Sequence, residues 1–212
     1  MEGVVSRELE VKASASETWK AYGSLLIAQI GVDAFPDKYS GFKVEGDGYA
    51  GTIIQVFFAP GVEGPPWYKE EYLVVDDVKR VKVGKFIEGG VLEQGFKSYV
   101  VTLEAIEKAG KKHECIMRGS IEYELYDEAA LPLVTSSIEG LFALMKAVAD
   151  YVIEHHNSTN TPTHADDPSY ISFPSIAFNL VVSQYMLMYL NKGGSLGVWS
   201  LRWYCNFFKD LI

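Results

Sequence analysis

Cysteine is almost missing from this 212-residue chain, which has only two. Cys115 falls inside an alternating segment and Cys205 near the C-terminal end, so no disulfide framework is implied and a reducing compartment is the expectation. Basic charge is also short, with 19 Lys and Arg against 28 Asp and Glu, a net charge of −9. With an isoelectric point near 5.0 and no basic stripe, such a chain repels a phosphate backbone, which excludes nucleic acid as a partner. The four histidines, His113, His155, His156 and His164, show no zinc-site spacing with a supporting Cys or carboxylate, so no metal is expected. A G-x-S-x-G elbow, a phosphate-binding Walker loop and a C-x-x-C pair are all missing, which removes hydrolase and kinase readings. The first eight residues lack the charged start and apolar stretch of a signal peptide, and the expected location is the cytoplasm.

What is present is an ordinary globular composition, 48% hydrophobic and 22% charged, enough for one core plus a tail. Residues 5–11 read as a first strand. Ser14-Ala15-Ser16-Glu17 opens a helical stretch that ends before Pro36, either one broken helix or two short ones. From Phe42 to about Tyr126 turn signals separate roughly six strands of an antiparallel meander. Val134, Ile138, Leu141, Phe142, Met145, Val148, Ala149 and Val152 then recur at helical spacing, predicting one long amphipathic helix that closes the domain near His156. This order predicts an α+β fold, a strongly curved sheet gripping one helix, with a cavity between them for a small ligand. A packed α+β domain without a cavity fits the same pattern.

The expected domain covers residues 1–157, and residues 158–212 form a tail. A Ser-, Thr- and Pro-rich linker is followed by an uncharged stretch, residues 168–191. Pro174, Asn179, Ser183 and Gln184 interrupt its apolar run, so it reads either as a membrane contact through residues 171–190 or as a non-native extension. Trp199, Trp203, Phe207 and Phe208 would need a partner surface.

Gly46-Asp47-Gly48-Tyr49-Ala50-Gly51 has the letters of a dinucleotide fingerprint, but a strand and not a helix follows it. A tight hairpin with glycines at positive φ explains it. The informative segment is Tyr68-Lys69-Glu70-Glu71-Tyr72, in which alternation puts Tyr68, Glu70 and Tyr72 on one face. A register whose paired numbers sum to an even value brings Lys82 to that face, within cross-strand reach of Tyr72 and one diagonal from Glu70. In an apolar cavity, lost solvation favours neutral lysine and protonated glutamate, which tunes the pair for proton transfer. On the convex face the same two residues would be a solvated ion pair worth about 0 to 1 kcal/mol.

Gly46-Asp47-Gly48, Gly51-Thr52, Tyr68-Lys69-Glu70, Asp76, Lys79-Arg80-Val81-Lys82, Ile87-Glu88-Gly89-Gly90 and Ile121-Glu122-Tyr123 together resemble the Bet v I family, in its norcoclaurine-synthase-like branch. The resemblance covers about residues 3–157 and implies a helix-grip fold: a seven-stranded antiparallel sheet around a long C-terminal helix, with two short helices and no metal or organic cofactor. It implies condensation of an aromatic amine with an aromatic aldehyde in plant alkaloid biosynthesis, with Tyr68 at the cavity entrance, Glu70 as base and Lys82 as the acid that expels water. Tyr39, Tyr72, Tyr99, Val101 and Met145 are expected around the substrates. In the ring-closing members an assisting aspartate stands where this chain has Val101, so the resemblance implies imine formation more strongly than ring closure. The alternative is a non-catalytic carrier or receptor of a hydrophobic plant metabolite or hormone in defence or signalling. Ala59-Pro60-Gly61-Val62 and Val78-Lys79-Arg80-Val81 match the gate and latch of an abscisic-acid receptor poorly.

Overall fold

The computed structural model describes the backbone of residues 1–160 and the side chains of residues 1–155. The expected linker and tail, including any membrane contact through residues 171–190, lie outside the described residues. Chain order is β1 (Glu2–Val11), α1 (Ala15–Tyr22), α2 (Leu26–Ala34), β2 (Tyr39–Glu45), β3 (Ile53–Phe58), β4 (Trp67–Asp76), β5 (Val81–Gly89), β6 (Phe96–Lys108), β7 (Lys111–Leu125) and α3 (Leu131–Asn160), with short 3₁₀ helices at Gly90–Gln94 and Glu128–Ala130. The strands form one seven-stranded antiparallel sheet in the order β1-β7-β6-β5-β4-β3-β2. This is the predicted helix-grip architecture. β1 starts three residues earlier than the alternation suggests, because Gly3 and Val4 continue the ladder on β7.

Local chemistry explains the helix boundaries. At the start of α1, Glu17 N–H donates to Ser14 Oγ (3.2 Å) and Ser14 N–H donates back to the Glu17 carboxylate (3.1 Å). The helical stretch is interrupted at Gly23, which ends α1 with its N–H on Trp19 O and leaves room for the Trp19 ring, 2.3 Å from where a Cβ would sit, and two short helices form. Between Gly46 and Gly51 the backbone takes positive φ at Gly46, Gly48 and Gly51 and leads into β3, which is the hairpin reading of that loop. α3 extends to Asn160, beyond the expected stop near His156; the sequence has no Gly or Pro between His156 and Pro162 to force an earlier end.

α3 buries Val134, Ile138, Met145, Val148, Ala149 and Val152. Its neighbours are chiefly β1, β7, α1 and α2. Gly119 on β7 permits the close approach: a Cβ there would lie 2.9 Å from both Leu141 Cδ2 and Met145 Sδ. The β2–β5 half of the sheet curves away from the helix, and the space between is a cavity of about 380 Å³, within the range of small-molecule sites.

Candidate active site

β4 supplies three consecutive inward side chains, Tyr68, Glu70 and Tyr72, as its alternation predicts. On β5 the inward set is Lys82, Gly84 and Phe86. Glu70 pairs with Phe86 and Tyr72 with Gly84, both in the even-sum register. Beyond Tyr72 the register shifts, so that Val75 pairs with Lys82. Leu73 and Val74 both point outward, 44% and 42% exposed, which is the signature of a β-bulge carrying one unpaired residue. Lys82 stays on the concave face because it stands two residues from Gly84, which faces Tyr72; it is one diagonal from Tyr72 and two from Glu70, not directly across from Tyr72 as expected.

The glutamate is held by an absence of side chain beneath it. A Cβ on Gly84 would fall 1.7 Å from Glu70 Oε1, so the carboxyl group lies across bare backbone. Gly84 pairs on its other side with Val101 of β6, which gives Glu70 an apolar neighbour. Among the described residues Glu70 has no hydrogen-bond donor and no ion pair. Burial lifts its carboxyl to about 7, and the Lys82 charge pulls back only in part.

Lys82 is 3% exposed. Its Nζ donates to the carbonyl oxygens of Ser24 (3.2 Å) and Gly23 (3.5 Å) at the α1–α2 junction, and lies 4.2 Å from the centre of the Tyr72 ring. Desolvation brings its ammonium group down to about 8, with Glu70 opposing the fall. The two carbonyls hold the ammonium in place without neutralising it, so an acid and a base share one cavity without cancelling in a salt bridge.

Aromatic rings make up much of the remaining wall, beside aliphatic side chains such as Ile54, Val56 and Leu103, and continue from it into the core. Tyr39, Phe58, Tyr68, Phe86, Tyr99, Phe96 and Tyr123 form a continuous chain of ring contacts, tightest between Tyr68 and Phe86 at 4.3 Å and 8°. Gly90, at φ 54°, makes room for it, since a Cβ there would meet Tyr68 Cβ at 2.8 Å. Burial, and then neighbouring phenols and Glu70, push the Tyr68 phenol well above its ordinary value, so it serves as a neutral hydroxyl. Burial does the same for Tyr72 and Tyr99.

Of the residues singled out in the sequence, Tyr39, Tyr68, Glu70, Tyr72, Lys82, Tyr99 and Val101 line this cavity. Met145 does not. It has no exposed surface, and its sulfur packs against Gly119 in the core between α3 and β7. An apolar residue on the buried stripe of a long helix can face either core or cavity, and spacing does not separate the two. The sequence reading missed Phe58, Phe86 and Gly84, all reachable from strand alternation, and Lys38, Ser136, Ser137 and Gly140, a small and polar patch facing the cavity. Among the described residues no three His, Cys, Asp or Glu side chains converge as a metal centre requires.

The sequence pattern of the pathogenesis-related protein Bet v 1 family matches residues 1–155. Norbelladine synthase from Narcissus pseudonarcissus is 34% identical over 155 residues, 73% of this chain and 94% of that protein. S-norcoclaurine synthase from Thalictrum flavum subsp. glaucum is 34% identical over 161 residues, 74% of each chain. The X-ray structure of norcoclaurine synthase from Thalictrum flavum in complex with dopamine and hydroxybenzaldehyde superposes with a TM-score of 0.64 at 33% identity, covering 73% of this chain and 88% of that one.

Proposed function

This chain belongs to the pathogenesis-related protein Bet v 1 family, and from that premise we propose that it is a condensing enzyme of the norcoclaurine-synthase-like type, joining an aromatic amine such as dopamine or tyramine to an aromatic aldehyde in plant alkaloid biosynthesis. The observation that carries the reading is Glu70 and Lys82 on one wall of an apolar, aromatic-lined cavity, with no ion pair between them and with proton affinities brought to about 7 and about 8. The names and the bound ligands of the relatives at 33–34% identity support the substrate class.

In this reading Glu70 takes a proton from the ammonium form of the amine and frees its lone pair for attack on the aldehyde carbon. The attack product passes a proton from nitrogen to oxygen to become the carbinolamine, which loses its hydroxyl as water when Lys82 donates a proton to it. The iminium ion so formed returns its nitrogen proton to neutral Lys82 to give the imine, and Glu70 releases its proton to solvent. The balance is one amine plus one aldehyde to one imine plus one water. Tyr68 supplies a neutral hydroxyl, and the aromatic wall excludes bulk water from the carbinolamine. Ring closure would need a further proton acceptor, and beside Gly84 the chain places Val101, which has no group to serve. Imine formation is therefore the proposed end of the reaction.

The test is full-length protein with dopamine or tyramine plus hydroxybenzaldehyde, followed by borohydride and mass spectrometry. An imine gains two hydrogens on reduction, whereas an isomeric ring-closed product does not. The expected result is a reducible product above the protein-free background. Saturable binding of either substrate without any product would favour the carrier reading and reject the enzyme.

A further inference from the structure

The cavity has a second cation, at its mouth, that the chemistry above leaves unused. Exposed lining residues mark where the cavity meets solvent: Lys38 in the turn just before β2, Glu63 in the β3–β4 loop and Ser136 on α3. Lys38 is fixed by its backbone, its N–H donating to Phe35 O and its carbonyl accepting from Ala59 N–H, each at 2.9 Å. From there its side chain reaches across the opening to α3. A Cβ on Gly140 would sit 3.3 Å from Lys38 Nζ, so glycine at that position leaves the ammonium its space. Nζ also lies 5.4 Å from the centre of the Tyr39 ring.

Among the described residues no carboxylate pairs with Lys38. Glu63 shares the rim but makes no ion pair with Lys38 within 4.0 Å. The neighbouring acid on α3, Glu139, is taken by Arg7. Asp33 on α2 accepts from Gln29 at 2.8 Å. Ser136 Oγ donates to Leu133 O at 3.1 Å within its own helix. The cavity is therefore polarised: an uncommitted ammonium at the mouth, stacked aromatic rings along the wall, and the Glu70–Lys82 pair inside. Glu70 draws an amine inward and Lys38 repels it. An aromatic ring with a carbonyl at one end and an anionic group at the other matches the same polarity.

We propose that Lys38 is a specificity-determining residue: it forms an anion subsite at the mouth that selects aromatic carbonyl compounds carrying a carboxylate remote from the reacting carbonyl. The inference rests on the condensation reading for the aldehyde as the partner concerned, but the subsite is measurable without turnover. The probes are 4-acetylbenzoate and its methyl ester, ketones of matched shape, titrated calorimetrically into the full-length protein with no amine present. Because Lys38 is solvent-exposed, the expected preference for the carboxylate is modest, roughly fivefold at low salt, shrinking as ionic strength rises. It should vanish in Lys38→Met, persist in Lys38→Arg and persist in Lys82→Met. Equal binding of acid and ester by the native protein, or a preference that survives Lys38→Met, would overturn the subsite. Loss of the preference in Lys82→Met alone would instead assign the anion to the inner lysine and equally overturn it. An intact preference in a protein that forms no imine would sink the enzyme reading and leave the subsite standing.

Discussion

The same two residue types meet on both faces of this sheet with opposite electrostatic results. On the convex face, Lys108 Nζ contacts Glu10 at 2.7 Å and Glu114 at 3.2 Å. Those contacts hold the lysine above its ordinary proton affinity, and Lys111, then Lys108, hold Glu114 below. Each group is fixed in its charged form, and neither can transfer a proton near neutral pH. On the concave face, Lys82 is buried and Glu70 half-buried in the cavity wall; they make no direct pair and move toward each other, to about 8 and about 7. Burial without neutralisation turns an ordinary Lys–Glu pair into an acid and a base that work near pH 7.

Breaking the inner pair should have the largest effect. Lys82→Ala is expected to reduce imine formation by about 10²- to 10⁴-fold, the usual range for a positioned proton donor, in the borohydride-trapped assay; native activity in this variant would reject the role assigned to Lys82. A more selective perturbation leaves both ionisable residues in place. Gly84→Ala puts a methyl group where the Glu70 carboxyl now lies, and displacement on the scale of 1 Å is expected to lower kcat by roughly ten- to a hundredfold. Circular dichroism of the variant would confirm that the fold survives. Unchanged kcat would mean that the placement of Glu70 over Gly84 does not matter. At the small end, Lys108→Met removes one of the outer network's two cations, leaving Lys111 on Glu114. Exposed pairs contribute little, so the rate should stay within about twofold and the melting temperature within about 2 °C. A large loss of activity there would erase the distinction between the two faces.

Much of the fold was readable from the chain, although spacing alone left open which face of the sheet Glu70 and Lys82 occupy. The alternation of Tyr68, Glu70 and Tyr72, the capping box at Ser14 and Glu17, the glycine hairpin and the apolar stripe of α3 are local patterns, and local patterns survive folding. The bulge at Leu73 was not readable: it inserts one residue without a distinctive signal, and it moves the partner of Lys82 by a step. Nor was the docking of Lys82 onto the Gly23 and Ser24 carbonyls, 59 and 58 residues away in sequence, because such contacts exist only once helices and sheet are packed. Met145 shows the same limit from the other side. Its periodicity marks it as buried, but only the approach of α3 to Gly119 decides that core, and not cavity, covers it.

The proposed chemistry turns on burial keeping the Glu70 carboxyl protonated above the pH at which ordinary glutamates ionise. Carbon-13 labelling of the glutamates, with Glu70 assigned by comparison with Glu70→Gln, allows its side-chain carboxyl to be titrated directly by NMR. A midpoint near 7 is predicted, with an upward-going titration that disappears in the variant. A midpoint in the ordinary carboxylate range near 4.5 would place Glu70 in contact with water and rule out its role as a base tuned by burial.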